Sequence, residues 1–129
     1  MEDIRVSTPN VSKLMHALGQ HRLVEYYDCD TTILNDKVRV REIMIEAVRQ
    51  AKATIVTDVF HTFSPHGVSG VVVIAESHVA IHTWPEYGYA AVDIFTCSKS
   101  VAPLVIQDYL KMHFKSKRTT SEDYKRGIV

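Results

Sequence analysis

Between Thr54 and Thr96 the chain strings together β-prone runs, each closed by turn-forming residues, with no helical period anywhere in the stretch. Thr54–Phe63 reads as a strand, Ser64-Pro65-His66-Gly67 as a turn, and Val68–Ala75 as a buried strand. Glu76-Ser77 interrupts, His78–Trp84 continues, Pro85-Glu86-Tyr87-Gly88 turns, and Tyr89–Thr96 is a further strand. Connections this short join antiparallel neighbours, because a parallel pair needs a crossover of about a dozen residues or more. A meander of this kind dictates an antiparallel sheet, and its buried face needs cover.

The cover lies on either side in sequence. Val40, Ile43, Met44, Ala47, Val48 and Ala51 recur at i, i+3, i+4, i+7, i+8 and i+11, which makes 36–51 an amphipathic helix. After Cys97, Ser100 can cap a second helix that tolerates Pro103 in its first turn, with Val105, Ile106, Tyr109, Leu110 and Met112 as its buried face. His21–Tyr27 reads as one more strand, closed by Asp28 and Asp30. Residues 1–18 read as an extension with one short helix near 11–18, and 115–129 as a polar, charged tail. The fold class is α+β: a two-layer sandwich, mainly antiparallel sheet with helices on one face, in a single domain over 1–129.

Charge and composition exclude several roles. Lys plus Arg number 15 and Asp plus Glu number 15, so the chain lacks the basic balance of a dedicated nucleic-acid binder. The longest apolar run, Gly70–Ala75, is far short of the roughly 20 residues that cross a bilayer. Met1-Glu2-Asp3-Ile4-Arg5 has neither the basic nor the apolar region of a signal peptide, and Cys29 and Cys97 read as free thiols of a cytoplasmic protein. Seven histidines are more than structure alone calls for, and only they change charge near neutral pH.

Hairpin geometry brings some of these residues together. With Glu76-Ser77 as a two-residue loop, Ser69 faces Trp84, and His82 sits at the diagonal position on the same sheet face. With Pro85–Gly88 as a four-residue loop, Cys97 falls beside Glu76 and Ser77. Tight hairpins favour Gly, Asn or Asp, and Glu-Ser supplies none of them. Either the peptide bond there is strained, as backbone at functional sites can be, or the strand runs straight through.

Two chemistries are weighed on the residues alone. His78 and His82 at i, i+4 pair on a helix but not on a strand, and no carboxylate or thiol completes a metal set, so no metal is expected. Cys97 with His82 could serve as a thiol–imidazole pair, yet the registers separate them within a chain and no oxyanion loop is apparent. Cys29 reads as a small buried filler, and Trp84 and the tyrosines of 85–89 as core or interface.

The segment Gly67-Val68-Ser69-Gly70-Val71-Val72-Val73-Ile74-Ala75-Glu76-Ser77-His78 resembles the self-processing site of S-adenosylmethionine decarboxylase proenzymes of the short prokaryotic class. So does its continuation from Val79 through His82-Thr83-Trp84-Pro85-Glu86-Tyr87-Gly88 to Phe95-Thr96-Cys97. Weaker matches are Gly19-Gln20-His21, Tyr27-Asp28-Cys29-Asp30 and Ala53-Thr54-Ile55-Val56, so the likeness spans roughly 18–114. Gln20 stands where that family often has a basic residue, and residues 1–17 and the tail beyond Phe114 carry no resemblance.

The resemblance implies a role for each matching residue. Ser77 attacks the Glu76 carbonyl, and the chain is cut into a β chain of 1–76 and an α chain of 77–129. Ser77 becomes a covalent pyruvoyl group that takes the substrate amine as a Schiff base and draws electrons during CO2 loss. His82 is implied as the processing base, Ser69 as its partner, and Cys97 as the acid that returns a proton to the substrate carbon. Phe63 matches the position that stacks on adenine, and Glu86 the one that bonds the ribose hydroxyls. The activity implied is decarboxylation of S-adenosylmethionine for spermidine synthesis. Two alternatives stay open: a relative redirected to an amino acid such as arginine, and an uncleaved partner subunit.

Distance adds a claim about assembly. Ser77 and His82 are five residues apart on one strand, roughly 16 Å at about 3.3 Å per residue, whereas proton transfer needs contact near about 3 Å. Ser77 and Cys97 of one protomer are therefore expected to meet Ser69, His82, Glu86 and Phe63 of a twofold mate, in an αββα homodimer.

Overall fold

In the computed structural model, which describes residues 17–129, side chains along the central strands alternate between a buried and an open side. The strands are Ala17–Tyr27 (β1), Ile55–Thr62 (β2), Val68–Ile74 (β3), Ser77–Trp84 (β4), Tyr89–Thr96 (β5) and Arg118–Ile128 (β6). They form one sheet in the order β2-β3-β4-β5-β1-β6, every neighbouring pair antiparallel. Val24, Tyr26, Val72, Val79, Ile81, Val92 and Ile94 bury against the helices. Val59 and Trp84 remain exposed. No helix among the described residues is long and apolar enough to cross a membrane.

Among the described residues three α-helices cover the buried face. Thr31–Leu34 (α1) is a single turn opened by Asp30, whose carboxylate accepts from the Ile33 N–H at 3.0 Å. Lys37–Gln50 (α2) starts at Asp36, which accepts from the Arg39 N–H, and buries Val40, Ile43, Met44, Ala47 and Val48 as the periodicity requires. Its last carbonyls are closed by the N–H groups of Lys52 to Arg49 and Ala53 to Val48, with Lys52 in the left-handed conformation. Pro103–His113 (α3) has Pro103 in its first turn and buries Ile106, Leu110 and the following Phe114.

Several expectations need correction. The loop between β3 and β4 is Ala75-Glu76, so Ser77 is the first residue of β4, paired with Ile74 and Thr96. Ser69 consequently lies directly opposite His82, not Trp84. Both registers keep the same residues on the buried face, so hydrophobic alternation could not tell them apart. Segment 118–128 is an edge strand paired with all of β1, not a tail. Most of its residues are exposed, which erases the apolar alternation that marks a half-buried strand. Arg22, salt-bridged to Asp123 at 2.8 Å, and Arg118, stacked 3.8 Å over the Tyr27 ring, help to fasten it. On α3, Val105 and Met112 point outward, 40% and 72% exposed, and Ala102 rather than Ser100 is the N-cap, with no side-chain bond. The short helix expected near 11–18 lies mostly outside the described residues; Ala17 and Leu18 belong to β1.

Candidate active site

The predicted site residues gather at two places on β4. At its start, the Glu76 carbonyl oxygen accepts the Cys97 N–H at 2.8 Å, which fixes the carbonyl of the Glu76–Ser77 bond from the neighbouring strand. Ser77 follows with φ of 149°, a conformation that favours glycine, so the expected strain falls on the residue after the bond. The Glu76 carboxylate accepts two further bonds, from the Thr54 N–H at 3.0 Å and the Thr54 hydroxyl at 3.2 Å. These bonds, the backbone N–H first, hold the Glu76 carboxyl below its usual range. The Cys97 thiol is exposed and lines a cleft of about 390 Å³ with Gly19, Gln20, Thr96, Ser98 and Val101.

At the far end of β4, Ser69 Oγ and His82 Nδ1 are 2.7 Å apart across the β3–β4 pair. They share a cleft of about 370 Å³ with Phe63, His66, Trp84 and Glu86. Phe63 leaves the end of β2 about half exposed, its ring 4.6 Å from that of His61, while its N–H is held by the Gly67 carbonyl. Glu86 sits on a 3-10 turn, Pro85–Tyr87, that Gly88 ends in the left-handed conformation. Its carboxylate lies 3.1 Å from His66 Nε2. Thus Ser69, His82, Phe63 and Glu86 come together, as do Glu76, Ser77 and Cys97, and Cys97 lines a different cleft from the first group.

The comparisons with known proteins follow the same lines. The family model for S-adenosylmethionine decarboxylase matches residues 20–127. The chain belongs to the S-adenosylmethionine decarboxylase family. An S-adenosylmethionine decarboxylase proenzyme of Acetivibrio thermocellus is 54% identical over 114 residues, 88% of this chain and 92% of that protein. The proenzyme of Pelotomaculum thermopropionicum is 55% identical over 115 residues, 89% of this chain and 91% of that one. A crystal structure of the adenosylmethionine decarboxylase from Aquifex aeolicus superposes with a TM-score of 0.82 at 37% identity, covering 88% of this chain and 93% of that one.

Within this S-adenosylmethionine decarboxylase fold, two contacts of the site escaped sequence reading. Thr54 stood only at the start of a strand and in a weak match, and His66 only in a turn; each meets its acidic partner through tertiary contact between neighbouring loops. Neither carries a local pattern that could have revealed it. His78 faces His21 and Phe95 on the open side, ring centroids 6.4 Å and 5.6 Å away, and burial lowers its pKa. Four residues of extended strand put His78 roughly 13 Å from His82 along the backbone, too far for one metal ion. Among the described residues no three His, Cys, Asp or Glu side chains gather to hold a metal. Cys29 is buried, and burial pushes its thiol up to about 11.

Proposed function

We propose that this member of the family is a self-processing enzyme that cuts its own Glu76–Ser77 bond and then decarboxylates S-adenosylmethionine with the pyruvoyl group so made. The carrying observation is the Glu76 carbonyl held by the Cys97 N–H beside a strained Ser77. When the Ser77 hydroxyl adds to that carbonyl carbon, negative charge grows on the oxygen, where the Cys97 N–H already points. Collapse breaks the C–N bond, the hydroxyl proton passing to the nitrogen, and leaves an ester between Glu76 and Ser77. Removal of the Ser77 Cα proton then expels the Glu76 carboxylate and leaves dehydroalanine. Its imine tautomer takes up water and releases ammonia, giving the pyruvoyl terminus of 77–129.

For His82 to accept that Cα proton at Nε2, Nδ1 carries the ring hydrogen and donates it to Ser69 Oγ, the contact found at 2.7 Å. The half-exposed Ser77 and the exposed Cys97 thiol suit a group that has to meet a substrate. That pyruvoyl group supplies a carbonyl for the substrate amine and an electron sink for CO2 loss. Cys97 returns a proton to the substrate carbon, Phe63 stacks on the adenine, and Glu86 bonds the ribose hydroxyls. Because Cys97 and the Ser69–His82 pair line separate clefts of a chain, the complete site forms in a homodimer, the open sheet faces meeting as αββα.

Intact mass spectrometry tests the cut. The parent chain gives fragments 1–76 and 77–129, the second lighter by one ammonia than a serine-terminated peptide, and Ser77→Ala gives one uncut chain. A parent chain that stays whole overturns the reading.

A further inference from the structure

We propose that Thr54 is a positioning residue for self-cleavage: it clamps Glu76 so that the carbonyl to be attacked stays on the Cys97 N–H. The inference rests on the Glu76–Ser77 cut proposed above. Thr54 meets the hairpin at three points. Its N–H and hydroxyl donate to the two Glu76 carboxylate oxygens at 3.0 and 3.2 Å, and its own carbonyl accepts the Ala75 N–H at 2.8 Å. The fourth point is the Cys97 N–H on the Glu76 carbonyl, from the opposite side of the hairpin.

The two-residue loop of this hairpin contains neither Gly, Asn nor Asp, the residues that settle such turns into their favoured forms. Rotation about the Glu76 backbone swings its carbonyl away from Cys97. Tying the carboxylate to Thr54, on the segment that leads into β2, and the carbonyl to Cys97, just after β5, leaves that rotation little room. None of the clamp's atoms is exchanged during cleavage, so its effect falls on how often the carbonyl is aligned for attack.

The test follows newly made chains from cell-free translation, quenched at intervals and read by intact mass. Thr54→Val keeps the backbone donor but loses the hydroxyl, and cutting slows roughly three- to tenfold. Thr54→Ser restores the hydroxyl and cuts within about twofold of the parent rate, while thermal midpoints match in uncut Ser77→Ala backgrounds. Glu76→Leu, which keeps the bulk but can accept neither bond, slows cutting at least as much as Thr54→Val. The double variant Thr54→Val with Glu76→Leu is no slower than the slower single change, because Glu76→Leu already removes the bond that Thr54→Val removes. Parent-rate cutting by Thr54→Val overturns the proposal, as do equal slowing by Thr54→Ser or effects that multiply in the double variant. The cut itself is judged separately by the parent chain and Ser77→Ala. If Thr54→Val does not fold, Glu76→Leu at the parent rate is enough to overturn the clamp.

Discussion

At the scale of single residues, the open side of the sheet carries a built-in sensitivity to acid. His78 has its pKa lowered from 6.5, first by burial and then by His21, with Asp93 pulling the other way. Phe95 of β5 is the apolar wall beside it, and His21 comes from β1. The unfolded chain therefore binds a proton at His78 more readily than the folded chain does. The stability linked to the neutral imidazole is present above about pH 6.5 and is lost as pH falls below it. His78→Gln removes that linkage. The variant should lose less thermal stability than the parent between about pH 6.5 and 5 in melts at matched ionic strength. An equal or larger loss would place the acid sensitivity elsewhere.

At the scale of elements, α3 separates packing from exposure. Leu110 is fully buried between the sheet and α2, whereas Met112 is 72% exposed. Leu110→Ala should cost about 2–5 kcal/mol in denaturant unfolding, and Met112→Ala within about 0.5 kcal/mol of nothing. Sequence periodicity put both on the buried face, because the apolar stripe of this helix is broad, whereas its fully buried positions are Ile106, Leu110 and Phe114, four apart, with Tyr109 packed partly buried beside the core. The longer α2 was legible because its apolar residues recur without ambiguity and Asp36 announces its start. The meander was legible because Ser64–Gly67 and Pro85–Gly88 punctuate it. β6 was not, since an edge strand exposed along nearly its whole length needs no apolar pattern, and its partner β1 is remote in sequence. The site divides in the same way. Ser69, Ser77, His82 and Cys97 sit in one contiguous motif whose registers could be worked out. Thr54 and His66 depend on which loops end up adjacent, and a loop shifted by one residue was enough to exchange Trp84 for His82 opposite Ser69.

At the scale of the whole molecule, the decisive feature is that β4 carries its two functional groups at opposite ends. Ser77 opens the strand beside Cys97, and His82 lies near its close beside Ser69, about 16 Å along an extended backbone. Sliding the strand against β3 and β5 moves both residues together and leaves that gap unchanged. A twofold axis on the open sheet face and perpendicular to β4 can close it, because it runs the mate's β4 in the reverse sense and sets one chain's end against the other's start. This arrangement makes a prediction that a site within one chain cannot imitate. Ser77→Ala and His82→Ala chains each stay uncut alone. Expressed together and isolated as heterodimers, they contain one site with both an intact Ser77 and an intact His82, and a second with neither. Only the His82→Ala chain carries that intact Ser77, so only it should be cut, giving at most one cut chain per heterodimer. With the two chains distinguished by an affinity tag, intact mass reads which one was processed. Cutting of the Ser77→Ala chain, or of neither chain in confirmed heterodimers, would rule out a site shared in this way.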